Sequence, residues 1–165
     1  MSHIRYEGCG ELHITDMDEA VQTKKSPFDK VMTVCQERID DNLPADIAYS
    51  FYCMSDGEHS TEKVYGGSCD YDLFEAAANE LYQTLADGQT VLIHCHAGQS
   101  RSVAVATAAL AQLLEVSRFE AIDRIHYYRP VGHYPDRKLM QHASQYIDTH
   151  TNVKNFTFLG EGEDE

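Results

Sequence analysis

The stretch from residue 91 to residue 102, VLIHCHAGQSRS, constrains the fold of this chain more than any other. Residues 91–94 form a short apolar run that predicts a strand covered on both faces. Residues 95–101 contain a glycine and predict a loop, and the apolar residues that follow predict a buried helix from 102 to about 115. A strand that leads through a short loop into a helix indicates an α/β domain.

Apolar spacing and capping residues predict the other elements. The predicted strands, in chain order, are residues 12–14, 31–35, 47–54 and 91–94. An apolar stripe at helical spacing predicts a helix over residues 74–85, and Ser117 with Glu120 forms a capping box that opens another helix. The expected inner face of that second helix consists of Phe119, Ile122 and Ile125. Together these elements predict a central mixed sheet of about four to five strands flanked by helices.

The length and charge of the chain limit its organisation and its partners. Its 165 residues fit one domain, which we place at residues 1–150, followed by an acidic tail at 151–165 that we expect to be flexible. The formal net charge of −14 repels phosphate backbones at long range, so no nucleic-acid or membrane partner is expected. The same acidity fits a salt-adapted, archaeal source and an ordinary acidic cytosolic protein, and both interpretations stay open.

The cysteines and the apolar segments indicate a reducing compartment. The five cysteines are odd in number and contain no CxxC pair, which disfavours a disulfide framework and a zinc module. The longest apolar run, residues 103–114, is too short to span a bilayer, and the first residues lack the apolar core of a signal peptide. We therefore expect a cytoplasmic protein.

The loop at residues 95–101 combines the features of an anion site with a nucleophile. Backbone N–H groups that converge at the start of a helix bind a tetrahedral anion, and the helix dipole adds to this attraction. Gly98 permits the tight backbone, and Arg101 can hold two phosphate oxygens at once. Cys95 lies at the end of the strand, where the same dipoles stabilise a thiolate. The predicted phosphate-binding residues are His96, Ala97, Gly98, Gln99, Ser100 and Arg101.

His94 and Cys95, separated by five residues from Arg101 and Ser102, resemble the HCx5R signature of the cysteine-dependent protein tyrosine phosphatases. The longer form, HCxxGxSRS, resembles the dual-specificity branch, and the resemblance covers roughly residues 3–148. It implies the compact fold of that branch and hydrolysis of phosphate monoesters through a cysteinyl-phosphate on Cys95. By the same resemblance, Arg101 binds the phosphate, Ser102 donates to the leaving thiolate and His94 orients the loop. No metal or cofactor is implied.

The proton donor for the leaving oxygen is expected to be an aspartate, because a positioned carboxylic acid is the usual donor. The family resemblance points to an Asp on the loop after the strand at 47–54, and Asp56 matches that context. The spacing from Asp56 to Cys95 is, however, longer than the family commonly has. Asp70 and Asp72 are the competitors, although Asp is also common at a helix start as a cap. That none of the three is the acid remains a further alternative.

Cys35 and two polar residues late in the chain are additional candidates. Residues 34–38 resemble the corresponding segment of the phosphatase-and-tensin-homologue branch, in which a cysteine traps the oxidised nucleophile as a disulfide. A redox partner for Cys95 and a buried structural cysteine therefore both remain open for Cys35. His133 and Asp136 are candidates to lie near the pocket.

Phosphorylated proteins are the favoured substrates. The loop positions His96, Ala97 and Gln99 carry no Lys, whereas phosphoinositide-selective relatives tend to carry basic residues there. The alternatives are a phosphoinositide or an RNA 5′-phosphate as substrate, sulfur transfer of the rhodanese type, and a phosphate-binding module without activity. The sequence does not reveal the oligomeric state, and a monomer is the default.

Overall fold

The computed structural model of this chain describes residues 2–5, 9–22, 28–57, 67–130 and 135–153. The strands are β1 (Ser2–Arg5), β2 (Glu11–Thr15), β3 (Lys30–Thr33), β4 (Ala48–Phe51) and β5 (Thr90–His94). The helices are α1 (Met17–Val21), α2 (Tyr71–Ala86), α3 (Arg101–Leu114), α4 (Arg118–Tyr128) and α5 (Arg137–His150). A short 3-10 helix at Asp40–Asn42 lies between β3 and β4. Residues 154–165 of the predicted acidic tail lie outside the described residues.

The strands form one sheet in the order β1-β2-β5-β3-β4. β5 lies in the middle and pairs in parallel with β2 and β3, while β3 also pairs in parallel with β4. β1 pairs antiparallel with β2, so the sheet is mixed, and the predicted α/β fold class is confirmed. Residues 91–94 are completely buried, because other elements cover both faces of a central parallel strand.

Helix α3 packs against three other helices, α2, α4 and α5. Every residue from 101 to 111 is buried, and most of these side chains are alanine, valine or serine. Small side chains let the neighbouring helices approach closely, which explains how one helix serves three partners. Within the described ranges no single helix is long and apolar enough to cross a membrane; α3 and α4 pass that test only as a pair, with a bend of 116° between them.

Helix α4 begins where the sequence predicts, because the Ser117 hydroxyl accepts a hydrogen bond from the Glu120 N–H. The predicted inner face is wrong at Phe119, which is 46% exposed. Arg118 is buried instead: its guanidinium carbon lies 4.8 Å from the centre of the Phe119 ring, and its Nη1 donates to the Ser144 hydroxyl on α5 at 2.8 Å. A charged side chain can take an inner position when its N–H groups find acceptors there.

The carboxyl ends of the three central strands meet at one edge of the sheet. His94, the last residue of β5, is paired with Thr15 at the end of β2 and with Thr33 at the end of β3. The chain then leaves the sheet at Cys95 and enters α3 at Arg101. Ligands of open α/β sheets bind at this edge, so the fold carries residues 95–101 to the expected place.

Candidate active site

Cys95 begins the loop of residues 95–101, which is named the Cys95 loop here. The residue is buried, with 1% of its surface exposed, and its Sγ lies 3.3 Å from the Ser102 Oγ in the first turn of α3. The Ser102 hydroxyl therefore lies within hydrogen-bond reach of the Cys95 sulfur. The fold thus brings together the predicted pair of Cys95 and Ser102.

The backbone carbonyls of the Cys95 loop are turned away from its centre. The Cys95 carbonyl accepts a hydrogen bond from His94 Nδ1 at 3.0 Å, and the His96 carbonyl accepts one from the Met17 N–H at 2.8 Å. Because the N–H and the carbonyl of a trans peptide point in opposite directions, the next N–H group in each case is directed into the loop. The loop is therefore built as a cradle of donors, of the kind that binds a tetrahedral anion.

Arg129, which follows the last turn of α4, holds the same loop from outside. Its Nε donates to the Gly98 carbonyl at 2.7 Å and its Nη2 to the Ala97 carbonyl at 3.5 Å, while its Nη1 donates to the Ile14 carbonyl of β2 at 3.1 Å. One guanidinium thus ties two loop peptides to the central sheet. The sequence around Arg129 predicts no more than a helix ended by Pro130, so its contact with the loop is visible only in the fold.

Gly98 has the backbone conformation that this arrangement needs. Its φ is +70°, in the left-handed region that favours glycine. A Cβ atom at this position would lie 2.4 Å from Arg129 Nη2 and 2.7 Å from the Thr15 carbonyl oxygen. The glycine is therefore required both for the turn of the loop and for the close approach of Arg129, and the prediction that it permits a tight backbone is confirmed.

The first turn of α3 directs the positive end of a helix dipole at the loop. Ser100 is the N-cap residue, its side chain makes no capping hydrogen bond to the helix, and no residue of the first turn is acidic. The first N–H groups of a helix have no acceptor within the helix and therefore favour a bound anion. The positive end of α3 and the outward-turned carbonyls of the Cys95 loop therefore both favour an anion at the centre of this loop.

Arg101 is 3% exposed and is held by acceptors from two other segments. Its Nη1 donates to Gln36 Oε1 at 2.6 Å and to the Met54 carbonyl at 3.1 Å, so the orientation of the guanidinium is fixed at the edge of the loop. Gln36 is distant from Arg101 in the chain, so no local pattern predicts this contact. Within the described ranges, no three His, Cys, Asp or Glu side chains are grouped so that they could hold a metal ion.

Asp56 contacts the Cys95 loop directly. Its Oδ1 accepts a hydrogen bond from the Ser100 hydroxyl at 2.6 Å, and the same hydroxyl accepts one from the Asp136 N–H at 2.9 Å. Gly57 packs against Asp136, since a Cβ atom on it would lie 2.6 Å from Asp136 Oδ1. The start of α5 therefore supports the segment that carries Asp56. The expectation that Asp136 lies near the site is confirmed by its contact with Ser100, whereas His133 lies outside the described residues.

The two competing aspartates lie at the start of α2. Asp70 is its N-cap residue and lines a cavity of about 690 Å³ with Ser55, Lys138 and His142, and no residue of the Cys95 loop lines that cavity. Asp72 is exposed in the first turn, where an acidic side chain interacts favourably with the helix dipole. The side chain of Asp70 makes no capping hydrogen bond, but it lines a cavity that excludes the Cys95 loop, whereas Asp56 contacts this loop directly. The geometry therefore favours Asp56.

His94 is completely buried behind Cys95. Its Nδ1 bonds the Cys95 carbonyl, and its Nε2 lies 2.7 Å from the Thr33 Oγ1. Because a carbonyl can only accept, Nδ1 carries the proton and Nε2 accepts from the Thr33 hydroxyl. Burial lowers the pKa of His94 to about 4, so the imidazole is neutral at neutral pH. A neutral ring that holds the Cys95 peptide fits the expected role of orienting the loop.

Cys35 lies two residues beyond the end of β3, at the same edge of the sheet as Cys95. Both cysteines are buried, and neither takes part in a disulfide bond in the described part of the chain. The Cys35 Sγ contacts the Glu37 carbonyl at 3.9 Å. The redox role of Cys35 therefore stays a prediction.

Comparison with known proteins gives one short sequence match. No family model matches the chain. Dual specificity protein phosphatase 12 of Homo sapiens is 42% identical over 48 residues, a match that covers 29% of this chain and 14% of that protein. The matched part is thus a small fraction of that relative's length.

Solved structures match nearly the whole chain. DUSP15 has a TM-score of 0.63 at 18% identity, covering 87% of this chain and 86% of that chain. Human DUSP28 has a TM-score of 0.61 at 17% identity, with coverage of 84% and 92%. PTPMT1 has a TM-score of 0.62 at 16% identity, with coverage of 89% and 94%. Identities this low show likeness of fold.

The fold of this chain is therefore that of the cysteine-dependent protein tyrosine phosphatases. The likeness to the folds of DUSP15 and human DUSP28 extends along most of both chains. The resemblance inferred from the loop motif is thus confirmed.

Proposed function

We propose that this protein hydrolyses phosphate monoesters through a cysteinyl-phosphate intermediate on Cys95. The observation that carries the proposal is a buried thiol at the base of a loop whose peptide N–H groups are directed inward. The loop opens onto a helix N-terminus, and the Arg101 guanidinium is fixed at its edge. These groups supply the donors that a phosphoryl group needs in its transition state, where most of the catalysis of phosphoryl transfer arises.

The first step transfers the phosphoryl group to sulfur. The Cys95 thiolate attacks phosphorus, so an S–P bond forms while the P–O bond to the leaving group breaks. Asp56 gives its proton to the leaving oxygen, which departs as a neutral alcohol or phenol. Arg101 and the loop N–H groups hold the equatorial oxygens during this transfer.

The second step returns the enzyme to its starting state. A water molecule attacks the phosphorus of the cysteinyl-phosphate, and the Asp56 carboxylate takes its proton. The new O–P bond forms as the S–P bond breaks, and inorganic phosphate is released. The Ser102 hydroxyl, 3.3 Å from the Cys95 sulfur, donates to the thiolate that leaves.

Phosphoproteins are the substrates that we propose for this site. Two of the variable loop residues, His96 and Ala97, are exposed, and neither carries a permanent positive charge. His96 Nε2 lies 3.8 Å from the Glu37 carboxylate, an exposed acidic group at the same side of the loop. A headgroup with several phosphates would meet this carboxylate and the acidic surface of the chain, whereas one phosphorylated side chain presents a single dianion.

Phosphoinositides form the second candidate class. A structure of PTPMT1 in complex with PI(5)P has a TM-score of 0.58 with this chain at 17% identity. The shared fold therefore accommodates a lipid headgroup in at least one protein. The two classes are separated by comparing kcat/KM for phosphotyrosyl and phosphothreonyl peptides with kcat/KM for soluble phosphoinositides at one ionic strength. A preference for the headgroups would overturn the phosphoprotein proposal.

Hydrolysis of an aryl phosphate in the presence of a chelator tests the chemistry. We expect Cys95→Ser to abolish the activity, because its hydroxyl is a far weaker nucleophile than a thiolate. For an aryl phosphate with a basic phenol, Asp56→Asn should lower kcat by about a hundredfold or more, the usual contribution of a general acid. Asp72→Asn removes the same charge at the exposed helix start and should behave like the parent.

Two outcomes contradict the proposal in different ways. Parent-like activity of Asp56→Asn together with a loss in Asp70→Asn or Asp72→Asn would move the acid to the start of α2. An inactive parent that carries a persulfide on Cys95, detected by its added mass, would favour sulfur transfer. An inactive parent that still binds phosphate would favour a binding module.

A further inference from the structure

A series of hydrogen bonds, partly buried at Tyr49 and buried at His94, connects an edge strand to the peptide of Cys95. Tyr49 lies on β4, the edge strand of the sheet, and its hydroxyl donates to Thr33 Oγ1 at 2.6 Å. The same hydroxyl accepts a hydrogen bond from the Ile39 N–H at 3.2 Å. Thr33 contacts His94 Nε2 at 2.7 Å, and His94 Nδ1 contacts the Cys95 carbonyl at 3.0 Å. This series from Ile39 to Cys95 therefore contains four hydrogen bonds, and each has the length of an ordinary one.

The two ends of this series set the direction of every bond in it. The Ile39 N–H at one end can only donate, and the Cys95 carbonyl at the other end can only accept. The Tyr49 hydroxyl, which accepts from Ile39, donates its own proton to Thr33. The Thr33 hydroxyl then uses its proton on His94 Nε2, and the imidazole is left with its proton on Nδ1. Each group therefore donates one hydrogen bond towards Cys95. The Ile39 N–H and the Cys95 carbonyl both require this direction.

We propose that Tyr49 and Thr33 are positioning residues for the nucleophile: they fix His94 as the Nδ1–H tautomer, which holds the Cys95 carbonyl turned away from the Cys95 loop. This inference rests on the proposed function for the role of Cys95. Neither residue touches the substrate in this arrangement. Both act through the His94 ring.

The surroundings of Tyr49 keep it a donor. Burial raises the pKa of Tyr49, so its hydroxyl keeps its proton throughout the neutral and mildly alkaline range. The charged groups near it are Arg38, whose guanidinium carbon lies 5.5 Å from the centre of its ring, and Asp40, which is paired with Arg38 at 3.1 Å. This ion pair is largely exposed and is therefore screened by solvent. The direction of the hydrogen bonds is set by the buried residues of the series, Thr33 and His94.

Without the Tyr49 hydroxyl, no donor faces the Thr33 oxygen, so the direction of the hydrogen bonds is no longer imposed from the side of β4. The Thr33 oxygen could then accept from an Nε2–H, which leaves a lone pair of Nδ1 facing the Cys95 carbonyl. Two acceptors repel each other at hydrogen-bond distance, so the ring or the Cys95 peptide must turn. The expected consequence is a loop whose first N–H group is less well directed at the phosphoryl group.

The experiment compares Tyr49→Phe with Tyr52→Phe, which removes the same atom from a nearby tyrosine whose hydroxyl contacts Glu80 instead. Thr33→Val and Thr33→Ser form a second pair, in which serine keeps the hydroxyl. The ¹⁵N shifts of the assigned His94 ring report its tautomer at pH 7 in each protein. In parallel, kcat and KM are measured with an aryl phosphate, and thermal unfolding verifies that each variant folds.

We expect Nδ1–H in the parent, Tyr52→Phe and Thr33→Ser, and a shift of the proton towards Nε2 in Tyr49→Phe. In Thr33→Val the Cys95 carbonyl keeps the proton on Nδ1, and the Nε2 signal should move to that of a ring nitrogen that accepts no hydrogen bond. In Tyr49→Phe and Thr33→Val kcat should fall by about twofold to tenfold, the rate equivalent of one ordinary hydrogen bond, with KM little changed. An Nε2–H tautomer in the parent, or an unchanged His94 spectrum in a folded Tyr49→Phe, would overturn the inference. An inactive parent with the expected tautomers would contradict the proposed function alone, so the two failures are distinguishable.

Discussion

The hydroxyl of Ser100 donates a hydrogen bond to the carboxylate of Asp56 across 2.6 Å, although 44 positions separate the two residues in the chain. Ser100 belongs to the Cys95 loop, and Asp56 lies in the segment that follows β4. The backbone N–H of Asp136 donates to the same hydroxyl at 2.9 Å. One side chain therefore holds together the loop that binds phosphate, the segment that carries the predicted acid and the start of α5.

Ser100→Ala is expected to weaken protonation of the leaving group. A hydrogen bond to a charged group contributes about 1.5–3 kcal/mol, so kcat should fall by roughly tenfold to a hundredfold for substrates with basic leaving groups. For aryl phosphates with acidic phenols the fall should be small, because such phenolates leave without a proton. The measurement is the dependence of kcat on the pKa of the leaving phenol. An equal loss for all phenols would show that Ser100 acts on phosphate binding instead.

The motif residues could be predicted from the sequence because they lie within one local segment. Cys95, Arg101 and Ser102 fall within eight positions, and the strand, loop and helix that present them have clear local signals. The elements of the fold follow the same rule, since apolar periodicity is a local property. There are two exceptions. Strand β1 was not predicted, because its four residues contain a single apolar side chain. At Phe119, periodicity did not reveal that the neighbouring Arg118 would find acceptors on α5.

The residues that hold the motif could not be predicted in this way. Arg129, Gln36 and Tyr49 contact the site through hydrogen bonds to residues far away in the chain. No spacing in the sequence marks such contacts, because they depend on which strands become neighbours and on where each segment ends. Asp56 lies between the two cases: its place after a strand was predictable, but its contact with Ser100 was visible only in the fold.

Gly98→Ala is expected to disrupt both the loop and its support. A left-handed conformation costs a non-glycine residue about 1–2 kcal/mol, and the added carbon would also overlap Arg129 Nη2 at 2.4 Å. Gly88→Ala is the matched control, since Gly88 has a φ of +84° and nothing within 4 Å of the added atom. Urea unfolding should show a larger loss of stability for Gly98→Ala, and kcat/KM should fall in that variant alone. Equal losses of stability would exclude the steric contribution of Arg129.

Arg129→Lys is expected to weaken oxyanion binding while the charge is kept. The guanidinium donates to three carbonyls, a geometry that a single ammonium cannot reproduce. We expect kcat/KM to fall by about tenfold to a hundredfold, the equivalent of one lost charge-assisted bond. The inhibition constant of vanadate should rise with it. Arg124→Lys is the control on the same helix, where Arg124 pairs with Glu120 at 2.6 Å on a partly exposed face. If both variants keep the parent's vanadate affinity, Arg129 does not shape the anion site.

His94 should make the stability of the protein fall as the solution becomes acidic. Burial lowers its pKa from 6.5 in the unfolded chain to about 4 in the fold. Between these two pH values the unfolded state binds a proton that the folded state does not bind. Stability is then fully present above pH 6.5 and decreases as the pH falls towards 4. The loss attributable to His94 reaches about 3 kcal/mol at the low end of that window.

Denaturant unfolding of the parent and of His94→Gln between pH 4 and pH 7 isolates this contribution, because carboxylates titrate in both proteins. The difference in unfolding free energy should shrink as the pH falls, since the parent alone carries the penalty of a neutral buried imidazole. An NMR titration of the His94 ring in the parent gives the pKa directly, even where His94→Gln does not fold. A midpoint near 6.5 would mean that burial does not exclude the proton, and the predicted loss of stability between pH 6.5 and pH 4 would then be wrong.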